Sequence, residues 1–244
     1  MARSQISNSV CQHVTSKQIS LLRQLALVWF GESGRIFPWR RKSASRYCLI
    51  VSEVLLQRTK AETIAQFIPG FIATYPSWRA LANARIEELE NRLRSIGLWR
   101  RRSQILKSLA IEISKRGGRF PADTGELAKM PGVGHYVANA VQMFCHCVPA
   151  PLLDSSMARL LERCFGPRQL VDIRYDPYLN ALAGRIVDSS KAREVNWALL
   201  DIAALFCRPN APRCTECPVA RACLTAQAFQ PRKRAIRRKK PSAD

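Results

Sequence analysis

The chain has 244 residues, 47% of them hydrophobic, which is enough for one large or two modest domains with a real core and too many for a disordered chain. Its 39 Lys and Arg against 18 Asp and Glu leave a formal net charge of +21, so a polyanionic partner is expected, with nucleic acid first and a purely packaging role left open by composition alone. No apolar run reaches the roughly 18 residues of a bilayer span and the opening MARSQISNSVCQHVTSKQ has no signal-peptide core. The expectation is therefore a cytoplasmic protein, nucleoid-associated if bacterial, with reduced cysteines and no membrane partner.

Residues 1–17 are polar and aperiodic and read as a flexible lead-in. From Ser20, Leu21, Leu22, Leu25, Val28 and Trp29 recur at helical spacing until Gly31, Gly34 and Pro38 break the pattern. Phe37-Pro38-Trp39-Arg40 follows, with Arg40 a candidate for phosphate contact. A second helical region runs from Tyr47 to Phe71 and contains SEVLLQRT, residues 52–59. Glu53 there precedes Val54, Leu55 and Leu56, so partial burial is expected to raise its pKa and keep a proton available. Further helical stretches carry Leu81 to Leu93 and Ile105 to Ile113, and the run Trp99-Arg100-Arg101-Arg102 between them is expected to face a phosphate backbone.

Asp123 and Glu126 have capping-box spacing ahead of a short helix, Glu126–Met130. Pro131-Gly132-Val133-Gly134 then forms a tight turn before a helix from His135 to Cys145. Glycine admits positive φ and close backbone approach, and the start of a helix offers unpaired N–H groups. Gly132 and Gly134 are thus expected to let a phosphate reach the main chain. Asp154 opens a helix whose apolar side holds Leu160, Leu161 and Cys164, and Ser190 is expected to cap the one carrying Val195, Leu199, Ile202 and Phe206. As no convincing period-two alternation occurs, the fold class is all-α, about ten helices with short connections. Residues 226–244, with PRKRAIRRKK, form a basic tail suited to non-specific phosphate attraction.

Cys207, Cys214, Cys217 and Cys223 have the spacing C-x6-C-x2-C-x5-C. Four thiols this close in a reducing compartment point to a metal. A four-cysteine iron–sulfur cluster is favoured over zinc, whose sites usually show two close pairs. The others, Cys11, Cys48, Cys145, Cys147 and Cys164, are scattered.

The same spacing resembles that of the endonuclease III and MutY branch of the helix-hairpin-helix DNA glycosylases, and the resemblance extends over residues 20–225. MPGVGHYVANAV (130–141) resembles the family hairpin, PLLDSSMARLLERCFG its V-D-x-x-V-x-R segment, and SEVLLQRT the S-E-V-M-L-Q-Q-T segment of the adenine-removing branch and its thymine-mismatch relatives. The resemblance implies a two-lobed fold. One lobe is a helical barrel of residues 45–135 ending in the hairpin; the other joins 18–44 to 136–225 and holds a structural [4Fe–4S] cluster on the four cysteines. The family's cluster fixes a basic loop against DNA, here with Arg208, Arg213 and Arg221.

It also assigns roles to single residues. Asp154 takes the place of the catalytic carboxylate, expected to be kept ionised by helix N–H groups, and Glu53 that of the acid beside the base. Gln57 would fill the space of the flipped base, and Arg58, in place of a second Gln, would read an opposite guanine or meet phosphate. Tyr136 stands where strand-cleaving members carry Lys, adenine-removing members Ser and thymine mismatch glycosylases Tyr. A phenol forms no imine, so weak or no lyase activity is implied. The implied function is a monomeric base-excision-repair glycosylase acting on double-stranded DNA, monofunctional, removing thymine or uracil opposite guanine. The short stretch after Cys223 is expected to leave no room for the further domain that full adenine glycosylases use for oxidised guanine. Adenine opposite oxidised guanine or guanine is the alternative within the class, a modified cytosine a third. A non-catalytic, zinc-stabilised DNA-binding module is the rival of another class.

Overall fold

The structure, a computed structural model, describes residues 14–229; Cys11, most of the lead-in and the tail from residue 230 lie outside them. None of the described residues is in a strand, and twelve α-helices follow one another in chain order. They are α1 (Ser16–Ser33), α2 (Arg46–Leu56), α3 (Ala61–Thr74), α4 (Trp78–Asn83), α5 (Ile86–Leu93), α6 (Trp99–Lys115), α7 (Thr124–Ala128), α8 (His135–Cys145), α9 (Ser155–Phe165), α10 (Pro177–Val187), α11 (Ala192–Leu205) and α12 (Leu224–Phe229).

Helix starts follow local chemistry where a short polar side chain is present. Thr15 accepts the Gln18 N–H while the Gln18 side chain returns to Thr15, a full capping box that starts α1 earlier than the periodicity from Ser20 indicates. Only one half of the box forms at Asp123, which accepts the Glu126 N–H at 2.8 Å. The Glu126 carboxylate instead pairs with Arg116 and Lys129, and α7 lies two residues before the expected Glu126–Met130. Ser190 does not cap α11; its N-cap is Lys191, with no side-chain bond, and α11 is held instead by its buried face from Ala192 to Ala203.

Two apolar cores organise the helices. The first gathers residues from Phe37 to Leu152 around α2, together with Ala192 and Trp197 of α11, with α4 against α6 and α2 against α8. The second packs α1 against α11 and α9 against α11 and α12, with Leu153, Met157, Leu161, Leu199 and Ile202 inside. In packing, Phe37 and Trp39 sit in the first core, which also runs on through Val137, Ala140 and Val141 of α8, past the boundary expected at residues 135–136. The reason is that the apolar face of α8 lies on α2.

Helix α2 is the axis of the first core. Ser45 caps it, and every residue from Leu49 to Leu55 is buried, Ser52 and Glu53 included. A helix enclosed on all sides carries any polar side chain into the interior. That position is costly for a carboxylate and calls for a partner.

Candidate active site

A cleft of about 860 Å³ opens where the two cores meet, lined among others by Trp39, Glu53, Leu56, Tyr136, Leu153 and Asp154. Three helices deliver its polar groups. Glu53 comes from the middle of α2, Tyr136 from the first turn of α8, and Asp154 from the N-cap of α9. The Tyr136 hydroxyl donates to Glu53 Oε2 at 2.9 Å across 83 positions of sequence.

Glu53 is 2% exposed. Burial pushes its pKa up to about 7, against the opposing pull of the Tyr136 hydrogen bond and the Arg40 charge, with Asp154 adding repulsion. Burial likewise raises the Tyr136 phenol well above its ordinary value, so it stays protonated and donates. Asp154 accepts from Ser156 N at 3.0 Å and Met157 N at 2.7 Å, both on Oδ1. These bonds and the Arg159 charge favour the carboxylate, as expected, yet burial outweighs them and the pKa is raised. Two mutually repelling carboxyls thus face one cavity, the arrangement that separates an acid from a base.

Of the predicted DNA-binding residues, Gln57, Arg58, Gly134 and Arg40 line the cleft. Gln57 and Arg58 are exposed at the end of α2, Arg58 at φ 60°. Gly132 takes φ 72°, and a Cβ there would lie 2.2 Å from Ile105 Cγ2, so glycine is required both by the turn and by the packing. Gly134 does not need positive φ; it is extended, exposed, with open space where a Cβ would stand, ahead of the uncapped N–H groups of α8.

Arg40 departs from the expected phosphate contact. Its Nη1 is 2.8 Å from Asp201 Oδ2, the side chain is 9% exposed, and the guanidinium lies over the Phe37 and Trp197 rings. Asp201, fully buried, also binds Arg35. A buried carboxylate is costly unless it is paired, and Arg40 and Arg35 are its partners. Arg102 also departs from the phosphate face: it is buried, while Arg100 and Arg101 are exposed. Asp201 and Arg102 had no signal in the sequence beyond their charge.

Among the described residues, no three His, Cys, Asp or Glu side chains close up to the geometry of a metal site. The four spaced cysteines nonetheless share one corner of the second core, Cys207 and Cys223 buried, Cys214 and Cys217 packed against them. Arg163 Nη1 lies 3.3 Å from Cys207 Sγ and also donates to the Arg208 carbonyl, while Arg159 donates to the Cys207 carbonyl. The donor set, four thiols with adjacent guanidinium charge, fits a group that binds thiolates. Both arginines belong to α9, whose N-cap is Asp154, so the cysteine segment is docked on the helix that carries the carboxylate. Of the arginines expected to face DNA, Arg208 and Arg221 are exposed, and Arg213 pairs with Glu216.

Residues 51–174 match the family model described as the HhH-GPD superfamily base excision DNA repair protein. The chain belongs to this superfamily. It is 35% identical over 212 residues to a thymine-DNA glycosylase of Aeropyrum pernix, covering 85% of this chain and 95% of that protein. The adenine DNA glycosylase of Homo sapiens is 28% identical over 228 residues, 87% of this chain but 41% of the human protein. A solved structure of a thermostable thymine-DNA glycosylase superposes with TM-score 0.79 at 27% identity, covering 87% of this superfamily member and 98% of that chain.

Proposed function

We propose that this superfamily member is a monofunctional DNA glycosylase that removes thymine or uracil opposite guanine. The observation that carries the reading is the hydrogen bond from Tyr136 to a buried Glu53 in the cleft that also holds Asp154. The likeness to thymine-DNA glycosylases over most of both chains supports it. The further alternative, adenine, asks for Ser in place of Tyr136 and has the weaker relative.

The target nucleotide leaves the stack, and Gln57 takes its place at the rim. In the cleft, Asp154 Oδ2, which the N-cap bonds leave uncommitted, faces the sugar. As the C1′–N1 bond breaks, the electron pair goes to the base and positive charge grows on the sugar, where the Asp154 carboxylate stabilises it. Water adds to C1′ and gives its proton to Asp154. Tyr136 holds Glu53 Oε2 as an acceptor, so the proton of neutral Glu53 sits on Oε1 and passes to a carbonyl oxygen of the departing pyrimidine. A carboxyl with pKa of about 7 holds that proton on a substantial fraction of molecules at neutral pH.

Duplexes holding T·G, U·G, A·G and A opposite oxidised guanine test the reading. Release is expected from the first two, with strand breaks appearing only after alkali. Release of adenine alone would favour the alternative, and none from any duplex would favour the non-catalytic binder. Tyr136→Lys places an amine where the phenol stands, and is expected to convert part of the released product to alkali-independent strand cleavage with borohydride-trappable enzyme–DNA adduct.

Cys207, Cys214, Cys217 and Cys223 would hold a [4Fe–4S] cluster, whose role there would be structural, while Arg159 and Arg163 hold the cysteine segment on α9. Purified protein is expected to be brown with broad visible absorbance, and Cys214→Ser to lose iron and melt at lower temperature. Colourless protein containing stoichiometric zinc would contradict the assignment.

A further inference from the structure

Two turns, the first of them on the rim of the cleft, hang on a single buried guanidinium. Arg102, in the first turn of α6, is 5% exposed. Its Nη2 donates to the carbonyls of Gln57 at 2.8 Å and Leu55 at 3.2 Å and to Thr59 Oγ1. Its Nη1 donates to the carbonyls of Ile96 at 2.6 Å and Gly97 at 2.8 Å. The first set is the end of α2, whose last carbonyls have no partner within the helix; the second is the turn into α6. Each turn holds a non-glycine residue in the left-handed region, Arg58 at φ 60° and Leu98 at φ 51°, and both side chains are exposed. Such backbone persists only where its surroundings over-determine it.

We infer that Arg102 is a positioning residue for base extrusion: it joins the turn of residues 57–59 to the turn of residues 96–98 so that the duplex meets one pre-formed rim. The inference rests on the reading of Gln57 as the group that enters the stack. A planar fork reaches both turns at once, which the single ammonium of Lys cannot do. Without it, each turn must be ordered at the moment the base leaves the helix, and that cost falls on extrusion rather than on bond cleavage. Arg102 has no contact with Glu53, Tyr136 or Asp154 among its hydrogen bonds, so the chemistry of an already unstacked base is left alone.

Two readouts separate these. Single-turnover release is measured from a U·G duplex and from uracil in a single strand, and the fluorescence of 2-aminopurine beside the target reports unstacking on binding. Arg102→Ala is expected to slow duplex release at least about tenfold, to leave single-strand release within about twofold, and to blunt the fluorescence rise, with Arg102→Lys between. Equal loss on both substrates, or unchanged duplex release and fluorescence, overturns the inference. Should Arg102→Ala not fold, Arg102→Lys is combined with Gln57→Ala. A double variant whose loss on duplex falls short of the product of the two single losses is expected, and fully additive losses overturn it. If the wild type releases nothing from either substrate, the proposed function fails, and the fluorescence change alone still decides the role of Arg102.

Discussion

Asp154→Asn is expected to slow single-turnover base release by about a thousandfold and to leave duplex affinity within about threefold, the size of effect seen when one preorganised electrostatic group is removed from a transition state. The substitution keeps shape and cap. Asn is as good an N-cap as Asp, and its oxygen can still accept from Ser156 N and Met157 N. What disappears is the negative charge opposite the sugar. Affinity depends instead on the exposed rim and the phosphate contacts, which the variant does not touch. Asp154→Ala would add the loss of the cap, about 1 kcal/mol, and confuse the two effects. Quenched-flow release and equilibrium binding on the same T·G duplex check the pair of outcomes; full release in the Asn variant would remove Asp154 from the chemistry.

Glu53→Gln is expected to lower release by about a hundredfold or more, the usual contribution of a positioned acid, while making the folded protein more stable at alkaline pH. The sign follows from burial. A carboxyl whose pKa rises from 4.5 to about 7 on folding costs nothing below pH 4.5; the cost grows as pH climbs to 7 and is constant above it. The full cost is roughly 3 kcal/mol at about 1.4 kcal/mol per pH unit. The amide that replaces the carboxyl never ionises, and its oxygen can still accept from Tyr136. Thermal melts are therefore expected to favour the variant at pH 8 and to converge with the wild type near pH 5. A variant less stable than wild type at pH 8 would show that Glu53 is not the costly group the geometry makes it.

The helical periods and the polar residues before them placed most elements, because local patterning is what packs α2, α8 and α9. Partial burial of Glu53 was legible since three apolar residues follow it, though not its near-complete enclosure, and the glycine at 132 was legible since the turn needs it. Tyr136 and Asp154 were legible only through motif resemblance; a Tyr near a helix start and an Asp at an N-cap are common, and nothing local says that 83 positions separate hydrogen-bonded partners. The arginines were misread for a physical reason. Charge suggests solvent or phosphate, but Arg40 is drawn to the buried Asp201 and Arg102 to the open end of α2, and both attractions are between distant segments. Arg159 stands at the last position of the V-D-x-x-V-x-R pattern, so a signal for it was present, whereas its bond to the Cys207 carbonyl was not. The packing of α8 with the first core was hidden likewise, as its apolar face shows that it is buried but not against what.

The pH dependence of single-turnover release from a T·G duplex bears most directly on the paired carboxyls. Asp154 must be ionised and Glu53 neutral, so the rate should rise as the first loses its proton and fall as pH passes about 7, with apparent values that belong to the pair. The falling limb should vanish in Glu53→Gln. A wild-type profile flat from pH 6 to about 9, or a falling limb that survives in Glu53→Gln, would contradict the account.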